Sequence, residues 1–214
     1  MTKTVLKYWL NPEYIKEERM KSINKQFQTS KPFHNLELEN FFNANMCNKI
    51  LNALSKEKFD FKESDLFQLS QTEDMKNTKN KVLKEFREFL ISKEFIKYME
   101  DITSLKLNKN KIDFAGSLYQ DTDYLLCHDD RLEGRKIAFL IYLSDFEDRE
   151  GGCLNLFSSK NNLPEKAIKS IVPKFNKFAF FEVSNISFHE VEEVIVDKQR
   201  IAVGGWFHEI GDDQ

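Results

Sequence analysis

The chain has 214 residues, of which 41% are hydrophobic and 31% charged, and a formal net charge of −3. That composition belongs to a folded domain and excludes a disordered chain; the charge balance gives no global signal for nucleic acid or an anionic membrane. Three scattered cysteines, Cys47, Cys127 and Cys153, form no CxxC pair and argue against a disulfide framework or a zinc ribbon.

From the N-terminus, MTKTVLKYWLNPEYIKEERM lacks the long apolar run and cleavage site of a signal peptide, and nothing later approaches the roughly 20 apolar residues of a membrane span. A reducing, cytoplasmic setting is therefore expected. Residues 12–27 are charged and predict a surface helix after Asn11-Pro12. FFNANMCNKILNAL (41–54) places Phe42, Met46, Ile50 and Leu54 four apart, on one helical face. The stretch 79–103 repeats the pattern with Val82, Phe86, Phe89, Leu90 and Phe95. After residue 110 short strands separated by turn residues are predicted at 113–120, 123–128, 136–144, 152–157, 170–175, 177–183, 189–196 and 200–207. The polar stretch SSKNNLPEKAIK (158–169) reads as a surface excursion, and QDTD (120–123) as a candidate lid. Helices first and strands afterwards predict an α+β fold, a sandwich or barrel buttressed by helices, with twenty phenylalanines to fill its core.

The segment YLLCHDD (124–130) ends a strand-like run on His128, Asp129 and Asp130. Residues two apart in a strand share a side, so His128 and Asp130 should project together and Asp129 away. A histidine and a carboxylate on one face are two of the three protein ligands of a non-haem iron facial triad. The third would come from His34, His189 or His208; His189 lies in ISFHEVEEV, within the strand-rich half. Arg200 opens the apolar strand RIAVGGWFH. Buried there, its planar fork needs a carboxylate, from a neighbouring acid or from the distal end of a bound small molecule. By alternation Asn155 faces opposite to Leu154 and Leu156 and is a candidate pocket residue. Trp206 shares the Arg200 face and is a candidate wall of a substrate site.

HDD, then SFHEV, then QRIAVGGWFH resembles the 2-oxoglutarate- and Fe(II)-dependent dioxygenases. Within them the chain most resembles the prolyl hydroxylases that act on a ribosomal protein, and more distantly the hypoxia-inducible-factor prolyl hydroxylases. The H-x-D…H…R pattern falls on His128, Asp130, His189 and Arg200; LYQ supplies Tyr119, IYLSDF supplies Tyr142, and GGCLNLF (151–157) is similar to the family's GG-x-L-x-L-F/Y strand. With PFHNLELENFF (32–42), the resemblance covers roughly residues 30–210. It implies a double-stranded β-helix, a jelly-roll or cupin-like barrel, over 31–214 with supporting helices at about 41–55 and 79–103, preceded by a helical extension at 1–30. It implies that His128, Asp130 and His189 hold Fe(II), that Arg200 anchors 2-oxoglutarate, and that Tyr142 and Tyr119 donate hydrogen bonds to it. Dioxygen is the co-oxidant, with ascorbate as an accessory reductant. The implied reaction hydroxylates an unactivated C–H bond, foremost of a prolyl residue in a ribosomal or translation-related protein, and yields succinate and carbon dioxide. The alternatives are a free amino acid or small metabolite as substrate, or a non-catalytic interaction module on the same fold. A carboxylate at Asp130, where halogenases of this class carry a small residue, argues for hydroxylation. No direct nucleic-acid or membrane partner is expected.

Overall fold

Apolar residues three or four apart make the first half of the chain helical in the computed structural model, which describes residues 2–132 and 134–211. The expected outer limits at Met1 and at 214 lie outside the described residues. Helix α1 (Thr2–Trp9) comes first, within the helical extension expected over 1–30 but not singled out as an element of its own. The helix expected over 12–27 is a 3-10 turn at Pro12–Ile15, capped by Asn11, followed by α2 (Glu17–Thr29). Asn43 caps α3 (Ala44–Leu54). The single helix expected over 79–103 is two, α4 (Lys81–Leu90) and α5 (Lys93–Thr103). Ser92 interrupts it: its backbone turns extended at ψ 148°, and its hydroxyl accepts from the Phe95 amide at 3.2 Å, restarting the helix with a side-chain cap.

Two elements of the sheet precede the predicted strands: β1 (Asn35–Leu38), and the hairpin of β2 (Asp60–Ser64) with β3 (Phe67–Gln71). Then come β4 (Ile112–Tyr119), β5 (Tyr124–His128), β6 (Arg135–Tyr142), β7 (Leu154–Lys160), β8 (Leu163–Ile171), β9 (Phe178–Glu182), β10 (His189–Val191) and β11 (Arg200–His208). The expected surface excursion over 158–169 is instead the β7–β8 hairpin. Its turn residues Asn161 and Asn162 both adopt positive φ, 53° and 58°, a conformation asparagine tolerates and two-residue hairpins require. Strands pair antiparallel in the order β1-β9-β6-β11-β4-β3-β5-β10-β7-β8, with β2 added on β3.

Alternation divides the sheet's two faces. Phe178 and Phe180 of β9, Phe139 of β6 and Phe207 of β11 join the helices in one large core, together with Trp9, Phe27, Phe41, Phe42 and Phe86. Ala179 and Phe181, one residue out of phase, point the other way and meet Leu154 and Leu156 of β7 across the barrel interior. The two ends of the sheet approach each other. Lys169 on β8 donates to Asn35 Oδ1 at 2.9 Å and pairs with Glu37 at 3.5 Å, both on β1. The barrel is nearly closed, and its last seam is made by side chains.

Candidate active site

Strand β10 lies between β5 and β7 and positions the first cluster. His189 is opposite His128, and Val191 is opposite Leu125, so β5 uses three steps where β10 uses two. The extra residue is a β-bulge, and it lets Leu125 and His128 both face the interior despite their opposite parity. Asp130 lies past the end of β5, and strand alternation does not place it as expected. Its φ of +62° does, a left-handed conformation aspartate tolerates, which swings the carboxylate back beside the imidazole. Asp129 turns away, its Oδ1 accepting from the Arg131 amide.

The two imidazoles are oriented alike. His128 Nδ1 lies 2.8 Å from the Leu126 carbonyl and His189 Nδ1 lies 2.8 Å from the Ser187 carbonyl. A carbonyl only accepts, so each Nδ1 carries a proton and each Nε2 is left to face the cluster. Those Nε2 atoms each stand 3.4 Å from an Asp130 oxygen, and the three ligand atoms lie within 4.8 Å of one another. Burial disfavours the Asp130 carboxylate, but hydrogen bonds and charge from the two histidines outweigh it and hold the group well below the usual carboxylate range. Burial likewise opposes the His128 imidazolium, yet the hydrogen bond and charge of Asp130 win and raise its pKa above 6.5. An ionised carboxylate with two inward Nε2 atoms becomes the donor set of a divalent metal once the metal displaces the imidazole protons.

A second cluster lines the same cavity of about 430 Å³. Arg200, wholly buried, donates from Nε to the Gly152 carbonyl at 2.6 Å, while both terminal nitrogens have no hydrogen-bond partner among the described residues. Its guanidinium carbon lies 4.8 Å from the Tyr119 ring centre and 5.1 Å from that of Tyr142. The Tyr142 hydroxyl is also buried and unpartnered. Burial pushes both phenols up to about 12, against the pull of the Arg200 charge, so they remain protonated donors. Gly152, at φ +69°, makes the room: a Cβ there would stand 3.0 Å from Arg200 Cδ.

The structure brings His128, Asp130, His189, Arg200, Tyr119 and Trp206 to one cavity, with Tyr142 behind Arg200. It does not bring Asn155. The inner face of β7 is the leucine face, so Asn155 points outward and donates to Glu190 Oε1 at 3.0 Å. His34 and His208 lie apart, paired with Glu182 and Asp113. Trp206 donates from Nε1 to Asp130 Oδ2 at 2.9 Å. Sequence reasoning missed Arg135, whose guanidinium carbon sits 3.4 Å from the Trp206 ring centre and whose Nη1 is 3.4 Å from Asp130 Oδ1. By alternation Arg135 shares the helix-facing side of Ile137 and Phe139; an irregularity in the β6–β11 register turns it to the mouth. Lys62, Phe67 and Leu69 of the β2–β3 hairpin also line the cavity and had no motif to announce them.

The 2OG-Fe(II) oxygenase superfamily matches residues 114–208. The Prolyl 3-hydroxylase OGFOD1 of Xenopus laevis is 41% identical over 169 residues, covering 78% of this chain and 33% of the relative. Over residues 114–208 the chain is therefore similar to the 2OG-Fe(II) oxygenase superfamily. Another superfamily relative, the Prolyl 3-hydroxylase sudestada1 of Drosophila melanogaster, is 37% identical over 169 residues, 74% of this chain and 31% of its own. The chain thus spans about a third of the length of the curated relatives it matches. Two solved structures share the fold. A Pseudomonas putida prolyl-4-hydroxylase has TM-score 0.71 at 14% identity, covering 90% of this chain and 100% of its own. A prolyl hydroxylase from Trichoplax adhaerens, in complex with a hypoxia inducible factor peptide fragment, has TM-score 0.70 at 15% identity and 90% coverage of both chains. The fold is the double-stranded β-helix of 2-oxoglutarate oxygenases. The residues fit the superfamily's groups: an ionised His–Asp–His cluster suits Fe(II), and the unpartnered donors of Arg200 and Tyr142 suit the distal carboxylate of 2-oxoglutarate.

Proposed function

We propose that this protein is an Fe(II)- and 2-oxoglutarate-dependent oxygenase that hydroxylates a prolyl residue of a protein, foremost a ribosomal or translation-related one. The observation that carries the reading is Arg200: a buried guanidinium with two unpaired nitrogens is costly unless an anion arrives, and it shares a cavity with a three-ligand metal cluster. His128, Asp130 and His189 would hold the metal; Arg200 and the Tyr142 hydroxyl would bind the distal carboxylate, with Tyr119 packed on the guanidinium. When bound, the metal and the keto acid supply the oxidation, with succinate and carbon dioxide as coproducts. Leu154, Phe181 and Val191 line the cavity between the clusters with apolar surface that keeps out water. The prolyl substrate is supported by the relatives named prolyl 3-hydroxylases and by the peptide held in the Trichoplax adhaerens structure.

Among the described residues no helix is long and apolar enough to cross a membrane, and the three cysteines are free, as suits a reducing compartment. The cytoplasmic setting and the N-terminal extension expected from the sequence remain our proposals; Phe27 of α2 stacking on Phe180 of β9 at 5.5 Å supports an extension that braces the barrel.

The test is succinate formation from 2-oxoglutarate by anaerobically purified protein loaded with Fe(II) and then exposed to oxygen. It is run beside His128→Ala, with and without proline-containing peptides of ribosomal proteins. Turnover lost in the variant and stimulated by one peptide is the expected result. Stimulation by free amino acids alone would overturn the protein substrate, and absence of both turnover and 2-oxoglutarate binding would overturn the enzyme.

A further inference from the structure

Asp130 is held outside the sheet. It lies two residues past the end of β5 on a left-handed backbone, its carbonyl accepting from the Leu132 amide at 2.8 Å. Its two oxygens are nevertheless unequal. Each has one imidazole Nε2 at 3.4 Å, but Oδ2 alone has a short hydrogen bond, from Trp206 Nε1 at 2.9 Å, whereas the nearest further donor to Oδ1 is Arg135 Nη1 at 3.4 Å. The indole is itself fixed. Trp206 sits in β11 with Ala138 and Asp113 as partners on either side, and the Arg135 guanidinium carbon lies over it, 3.4 Å from the ring centre.

We propose that Trp206 is a positioning residue for Asp130, its indole N–H holding one carboxylate oxygen so that the aspartate presents only the other to a metal. This rests on the oxygenase reading and deepens it. A facial triad serves because it leaves positions open on the ion; a carboxylate that binds through both oxygens fills one of them. A hydrogen bond to an ionised acceptor is roughly twice as strong as a neutral one, and an oxygen engaged that way resists a second metal bond. Such outer partners are as much part of a metal site as its ligands, and losing one changes metal affinity or activity by about 10- to 100-fold.

The experiment replaces Trp206 by phenylalanine, which keeps a flat ring under Arg135 but has no N–H. It also replaces it by benzothienylalanine, which keeps the full indole shape with sulfur in place of N–H. The protein is loaded with Co(II) and 2-oxoglutarate, and the visible bands, which follow coordination number, are compared with wild type. The oxygen and 2-oxoglutarate requirements are then measured on the Fe(II) forms. The expected result is altered Co(II) bands and an oxygen requirement raised about tenfold with the 2-oxoglutarate requirement unchanged, in both variants. A merely structural role would lower the melting temperature and move both requirements together. Unchanged bands and an unchanged oxygen requirement in the benzothienylalanine protein would overturn the inference and leave the oxygenase reading standing. Wild type without Co(II) bands would overturn that reading, and this inference with it.

Discussion

Arg200 carries a permanent charge, is wholly buried, and among the described residues has only the Gly152 carbonyl as an acceptor. Replacing it by lysine puts a point charge where a planar fork stood, so the apparent 2-oxoglutarate requirement should rise by about tenfold or more while Fe(II) affinity is unchanged. Steady-state succinate assays beside metal titration separate the two, and an unchanged requirement would show that the anchor lies elsewhere. His128 makes a pH prediction. A metal must displace a proton from the imidazole, and Asp130 raises that proton's pKa above 6.5. Mn(II) affinity in the reduced, iron-free protein should therefore begin to fall above that value as pH is lowered. Asp130, held ionised, adds nothing to the loss until far more acidic solution. Calorimetric titrations from about pH 8 to pH 6 read this, and a flat affinity would remove His128 from the ligand set. That His128, Asp130, His189 and Arg200 line one cavity could be expected from the sequence, because the resemblance supplies their pattern and a buried charge needs a partner. Trp206's bond to Asp130 and Arg135's place above it could not. A left-handed turn brings one carboxylate into reach and a register irregularity turns the guanidinium inward, and neither leaves a mark in residue alternation.

The strands of the second half were legible because one of their faces is buried, which forces apolar alternation. The β7–β8 hairpin escaped detection for the opposite reason: most of β8 is exposed on both faces, so solvent imposes no pattern. Strand β2 is hidden likewise, with four of its five residues exposed over the cavity mouth. The split of α4 from α5 turned on Ser92, which reads as an ordinary mid-helix polar residue until its hydroxyl is seen capping. Gly205 in β11 tests the close approach of strands. A Cβ there would stand 1.8 Å from the Asp113 carbonyl oxygen of β4, and its nearest neighbours are all β4 backbone, so nothing flexible is there to yield. Gly205→Ala should destabilise the fold by roughly 3 kcal/mol or more, read by urea unfolding. A loss under about 1 kcal/mol would mean the β4–β11 pair can slide apart.

At the scale of the molecule, helices and barrel share one aromatic core, while the cavity lies on the far side of the same strands. Ligand binding and folding are therefore linked. Fe(II) with 2-oxoglutarate at about 100 times its dissociation constant should add about 2.7 kcal/mol to stability, seen as a raised melting temperature; a tenfold weaker site in Arg200→Lys should cut that to about 1.4 kcal/mol or less at the same concentration. No shift in wild type would contradict a preformed anion pocket.

The seam between β8 and β1 has a different consequence. An open sheet ends in unpaired N–H and C=O groups, a template on which another chain can stack and grow. Strand β8 is nine residues long and mostly exposed, with Leu163 and Ile168 facing solvent, the profile of a strand that recruits copies of itself. Pro164 lacks an N–H to offer, Glu165 and Lys166 carry charge, and Lys169 crosses to Asn35 and Glu37. The same lysine that nearly closes the barrel thus guards its edge. Lys169→Val, with no change at the cavity, should leave turnover intact and lower the temperature at which light scattering rises. Scattering identical to wild type would show that the seam shapes the barrel without protecting it from aggregation.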